Sequence, residues 1–146
     1  MAVTGHFYDN FFTSLGAKQI NLASDTFKAI LLGTGYTPNQ GTHRYQSDLG
    51  ANEITGTGYT AGGQTISPVT PAVNTGTHVF NLTGSNPSWP SSSLSARYMA
   101  IVDTTPGSAA TNPLVCFIDF GGTETTVNGT FSVTWDATGI GYVTVN

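Results

Sequence analysis

Asp48 and Glu53 lie close together in the chain, and a carboxylate pair is what a glycosidase uses as acid and base. Such a pair must face across a substrate groove, and spacing alone does not supply one. A turn in which Glu53 bonds to backbone or water is the simpler reading of its Gly- and Thr-rich surroundings. His6, His43 and His78 are dispersed with no His-x-x-His or paired-Cys spacing, so no metal site is expected. Nucleophilic catalysis would need a Ser or Cys116 beside a His and an orienting acid, and neither the Gly-x-Ser-x-Gly elbow nor a cysteine-protease signature occurs. Cys116 lies in the apolar run Leu114-Val115-Cys116-Phe117-Ile118, a setting that hides a thiol and raises its pKa. Gly56-Thr57-Gly58 and Gly62-Gly63 imitate a phosphate loop superficially, since no helix-forming run follows them. These residues predict no catalytic group, no metal and no cofactor, and hence no enzyme.

The elements around them read as mainly β. Phe7, Phe11, Phe12 and Leu15 fall at helical spacing and predict one short N-terminal helix at about residues 6–16, with Gly16 suited to a left-handed cap. Strands are expected at Thr26–Leu32, Thr77–Leu82, Ala96–Val102, Leu114–Phe120, Phe131–Trp135 and Gly141–Val145, with a weaker one at Gln64–Val69. Tyr98–Val102 and Leu114–Ile118 are apolar on both faces and belong in the centre of a sheet, whereas Phe131, Val133 and Trp135 alternate with polar residues and suit one buried face. Short strands with frequent turns favour a two-sheet β-sandwich, immunoglobulin-like or jelly-roll. Residues Gly33 to Gly50 are too polar and turn-rich for a long regular element and predict a surface loop, with a helical turn near Tyr45 to Leu49.

Composition sets the class. The 146 residues argue for a single domain, 1–146. Only 4 basic and 8 acidic residues are present, and Lys18, Lys28, Arg44 and Arg97 are scattered, which excludes a phosphate-binding surface and makes nucleic acid an unexpected partner. Polarity comes instead from 24 Thr, 12 Ser, 10 Asn and 18 Gly. Thr suits pleated strands, and Gly and Asn suit turns. The longest apolar run, Ala29-Ile30-Leu31-Leu32, is far short of the ~20 residues that cross a bilayer, so no membrane partner is expected. The start Met1-Ala2-Val3-Thr4-Gly5-His6 lacks a basic region followed by an apolar core, so export by a signal peptide is not expected either.

Read in order, the Asp25–Leu31 strand, Tyr36-Thr37-Pro38-Asn39, His43-Arg44-Tyr45-Gln46-Ser47-Asp48 and Glu53-Ile54-Thr55-Gly56-Thr57-Gly58-Tyr59-Thr60-Ala61-Gly62-Gly63 form a series. It continues through Trp89-Pro90-Ser91-Ser92-Ser93, Ile118-Asp119-Phe120-Gly121 and Asn128–Trp135. Over nearly the whole chain this resembles a family of small structural proteins of tailed bacteriophages. The resemblance implies a virion component and carries no catalytic residues. Within a virion, the size and composition suit a capsid decoration, or cement, protein on the outside of the major capsid shell, present in the host cytoplasm during assembly and self-associating as homotrimers. A tail fibre or baseplate module that binds host-surface carbohydrate is the alternative.

Contacts with the major capsid protein or with like copies are expected where no core role is evident. Those positions are Met1, Ala2, Val3 and Thr4, and the loop residues Tyr36, Asn39, His43, Arg44 and Tyr45. Trp89, in a Pro-bracketed loop, has two roles open to it. It can plug the end of a sandwich, or present its indole to a partner.

Overall fold

The computed structural model describes residues 2–146; Met1, one of the expected contacts, lies outside the described residues. The order of elements is β1 (Thr4–Phe7), α1 (Asp9–Gly16), β2 (Phe27–Leu32), a 3-10 turn (Gln46–Leu49), β3 (Gln64–Ile66), β4 (Val69–Asn74), β5 (Val79–Gly84), β6 (Ser88–Ser92), β7 (Ser95–Asp103), β8 (Leu114–Thr125), β9 (Gly129–Ser132) and β10 (Gly141–Thr144). They build an all-β, sandwich-like fold. A five-stranded antiparallel sheet in the order β1-β8-β7-β2-β3 forms one layer, and the facing layer is divided into a three-stranded sheet, β10-β5-β4, and a two-stranded one, β6-β9.

Alternation explains how the large sheet is covered on both sides. Phe27, Ala29 and Leu31 of β2, with Met99 and Ile101 of β7, pack inward with Leu82 of β5, Trp89 of β6 and Phe131 of β9. The intervening Ile30, Leu32, Ala100 and Val102 face the other way, against Tyr8, Tyr36 and Leu49. That is why β7 and β8 read as apolar on both faces: the Gly33–Gly50 stretch, through Tyr36 and Leu49, lies over the second face as a lid rather than leaving it to water. On β8, Ile101 pairs with Cys116 and Val102 with Leu114, so Val115 is a bulge residue that shares the inward face with Cys116.

Several expectations change. The helix begins at Asp9, because His6 and Phe7 pair with Phe117 and Cys116 as part of β1. Backbone bonding to β8 outweighs helical spacing there, and Phe7 still stacks on Phe11 at 5.2 Å. The left-handed residue after α1 is Lys18 (φ 60°), not Gly16. The weak Gln64–Val69 strand is two strands in different sheets, divided at Pro68, which has no N–H to give to a ladder. The Trp89 loop is strand β6, paired with β9. Pro71 within β4 is tolerated because β4 is an edge strand.

Candidate functional site

The groups with chemical potential turn out to be engaged in holding loops. Glu53 Oε1 accepts hydrogen bonds from the Tyr59 hydroxyl at 2.7 Å and from the Gly62 N–H at 2.6 Å. Tyr59 Oη in turn accepts the Leu31 N–H at 3.2 Å. β3 pairs with β2 only as far as Ala29, so beyond that point the backbone of β2 needs other partners. Tyr59, Asn52 (through its carbonyl to the Gly33 N–H, 2.9 Å) and Ile54 (through its N–H to the Leu31 carbonyl, 3.1 Å) supply them. Burial first, then the bond and charge of Glu53, push the Tyr59 pKa well above its ordinary value. Asp48 accepts the N–H groups of Arg44 (2.7 Å) and Tyr45 (2.9 Å) and so caps the 3-10 turn. Burial works to raise its pKa, but these bonds and the nearby His43 outweigh it and hold the carboxyl below its usual range. The backbone bonds expected of Glu53 are therefore present.

The histidines are apart. His6 stacks on Phe117 at 5.2 Å, His43 Nδ1 meets the Tyr36 hydroxyl at 2.9 Å, and His78 occupies a turn with φ 56°. Among the described residues no three His, Cys, Asp or Glu side chains gather as metal ligands would. Cys116 is buried, which pushes its thiol up to about 12.

The expected contact residues divide into outside and inside. Ala2, Val3, Thr4 and Asn39 are exposed, and His43, Arg44 and Tyr45 are half-buried. Arg44 Nη2 donates to Gln19 Oε1 at 2.9 Å while its guanidinium lies 5.2 Å from the centre of the Tyr45 ring. Tyr36 is 2% exposed and Trp89 4%, so neither is a surface contact. Tyr36 is held there because its hydroxyl finds buried Tyr8 Oη at 2.7 Å, satisfying both. Trp89 plugs the sandwich between Tyr59 and Phe131, each 6.0 Å away by ring centres.

The remaining residues lie toward opposite ends of β8: Thr4 pairs with Asp119, whereas the Arg44 carbonyl accepts the Leu114 N–H. β1 is an edge of the large sheet. Directly after it, the Asp9 N–H donates to the Gln40 carbonyl (3.0 Å), and Asn10 Nδ2 donates to the carbonyls of Gly41 (3.3 Å) and Thr42 (3.4 Å). The start of α1 and the 39–43 loop, distant in sequence, are therefore neighbours. Along β1 runs a groove of about 390 Å³ between the two layers, floored by Phe7, Ile118, Val133, Trp135 and Ile140, and a second hollow of about 450 Å³ continues past Val3 and Val133. Val3 (62% exposed) and Tyr142 (54%) stand at the groove, and Phe12 (47%), edge-on to Phe7 at 5.6 Å, is also exposed.

Sequence reading missed this groove. Its nearest signal was the alternation of Phe131, Val133 and Trp135, but β9 ends at Ser132 and the other two line the opening. The charged groups lining the first groove are Asp136 and, when protonated, His6. Asp136 Oδ1 is already bound by Thr138, whose hydroxyl and N–H hold the carboxyl below its usual range. The groove is thus poor in charge, with an apolar floor, and lies beside a strand at the sheet edge. No protein-family model matches the chain, and neither the curated proteins nor the solved structures include a protein similar to it.

Proposed function

We propose that this chain is a bacteriophage virion protein that decorates the outside of the major capsid shell and strengthens it. The observation that carries the reading is the face around β1, where exposed Val3 and Tyr142 stand at a groove with an apolar floor at an open sheet edge. Solvent-exposed apolar side chains around a concave, charge-poor opening mark a contact surface. The residue resemblance to phage structural proteins supports a virion role, and the size and charge-poor composition point to the major capsid protein as the partner. A decoration protein needs no moving parts: each copy bridges neighbouring subunits, and many weak contacts repeated over a shell add up to large mechanical strength. Self-association, as trimers about local three-fold axes, belongs to the same proposal.

The tail-module reading drew on Tyr and Trp rings offered to sugars. Tyr36 and Trp89 are inside the fold, while Trp135 and Tyr142 line the groove, so copy number per particle separates the two readings. The test is occupancy. Purified protein is added to empty shells of the phage that carries it, and bound copies are compared with the major capsid protein on a stained gel. Comparable amounts are expected for the wild type, with at least a tenfold loss of affinity for Val3→Asp and Tyr142→Asp at unchanged melting temperature. Full occupancy by both variants rejects this face. A wild-type protein that leaves shells bare, and is present in virions only at tail-like copy number, rejects the capsid assignment.

A further inference from the structure

We propose that Asp25 and Asp103 form a proton-binding clasp, carboxyl to carboxylate, which ties the turn before β2 to the end of β7 and makes the fold tighter in mild acid. This goes beyond the proposed function and does not rest on it. Asp103 is completely buried, opposite Phe27 in the ladder between β2 and β7. Its Oδ1 accepts the Thr105 N–H at 2.9 Å, but its Oδ2 is sealed from solvent and has no hydrogen-bond donor. Asp25 stands two residues before Phe27, the ladder partner of Asp103, and its Oδ2 already accepts the Asn21 N–H at 2.6 Å. The two segments are laced together on either side of the pair: the Thr104 N–H donates to the Thr26 carbonyl (2.8 Å), and the Thr26 N–H to Thr105 Oγ1 (2.8 Å). The two aspartates are therefore held at the same junction of the turn with β7.

Two carboxylates so placed cannot both stay charged without a compensating positive charge. Among the described residues no basic side chain forms an ion pair with either, and Lys18, on the segment that leads to Asp25, is exposed. The 104–113 loop contains no charged residue, β8 opens with Leu114 and Val115, and Lys28 points to the opposite sheet face from Phe27 and Asp103 by strand alternation. A calcium ion asks for six or more oxygens, whereas the Thr26 carbonyl and Thr105 hydroxyl nearby are already engaged and, among the described residues, no third acidic, His or Cys ligand joins the pair. A proton needs only two oxygens and no cavity. It turns the orphaned oxygen of Asp103 into half of a hydrogen bond.

The direction of titration agrees. Burial, then the bond and charge of Asp25, raise Asp103 from the ordinary 3.8 to about 6, against the lowering effect of Thr105. The folded chain therefore takes up this proton at a higher pH than the unfolded chain does. The added stability is complete below the unfolded value and is lost as pH rises through about 6. For this pair alone, the unfolding equilibrium constant should be about tenfold smaller at pH 5 than at pH 8.

The test is urea unfolding of the wild type, Asp103→Asn and Asp25→Asn at pH 5 and pH 8, with a 13C NMR titration of the aspartate carboxyl carbons in the wild type. The amide of Asp103→Asn donates as the shared proton does. That variant should therefore be more stable than wild type at pH 8 and lose the tenfold dependence, the histidines cancelling in the comparison. Asp25→Asn should do the same. An Asp103 carboxyl that titrates near 4, or a wild-type pH slope retained in both variants, overturns the clasp, and the NMR titration decides even if a variant fails to fold. Stabilisation of the wild type by millimolar calcium at pH 8 that Asp103→Asn abolishes overturns the proton in favour of a cation.

Discussion

Removing one hydroxyl, by Tyr59→Phe, tests how the Glu53–Gly63 segment is held. Tyr59 Oη accepts the Leu31 N–H at 3.2 Å and donates to Glu53 Oε1 at 2.7 Å. Leu31 is fully buried in the middle layer of the fold, beyond the reach of β3, so its N–H has no other partner to turn to in place of this oxygen. Leaving a buried donor unsatisfied costs about 1–3 kcal/mol. The bond to Glu53 adds less than its full worth, because Glu53 keeps the Gly62 N–H at 2.6 Å. Together the loss should be about 2–3 kcal/mol, which for a chain of this length lowers the melting temperature by roughly 4–10 °C. Glu53→Gln keeps an acceptor oxygen and should cost about 1 kcal/mol, and the double variant should lose less than the sum because the two side chains share one bond. Calorimetry and urea unfolding read all three. A Tyr59→Phe protein within about 0.5 kcal/mol of wild type would refute the claim that this hydroxyl completes the edge of β2. Loss of a polysaccharide-degrading activity in Glu53→Gln at unchanged stability would reinstate a catalytic carboxylate.

Two further outcomes follow from the same structure. Gly63→Ala should abolish folding or cost more than about 3 kcal/mol, since φ is 77° and a Cβ there would lie 2.0 Å from the Ala29 carbonyl oxygen, a backbone atom that cannot step aside; soluble expression and circular dichroism would show it. Cys116, with its thiol raised to about 12 by burial, should ignore Ellman's reagent in the native protein and react only as fast as the chain unfolds. Rapid labelling under native conditions would contradict its enclosure.

What could be read from sequence was whatever a residue run encodes by itself. Ile30, Leu32, Ala100 and Val102 sit among other apolar residues, so a strand buried on both faces was legible before any partner was known. The same holds for the 3-10 turn at Gln46–Leu49 and for the enclosed Cys116. β1 was not legible, because a four-residue strand with one glycine becomes a strand only when β8 is there to bond it. β6 was hidden by Pro90, and the burial of Tyr36 by its polar hydroxyl, whose partner Tyr8 is 28 residues away.

The face around β1 shows the same division. Ala2, Val3 and Thr4 were singled out because they had no evident core role, and they do lie outside. Their neighbourhood could not be inferred: Val133, Trp135 and Tyr142, around the groove, meet β1 only in three dimensions. Burial preference is a property of each side chain, so the all-β class and the inner strands were written in the amino acids themselves. Adjacency depends on which backbone groups find partners across long loops, so the groove, the paired aspartates and the lid over the second sheet face were decided by the tertiary fold.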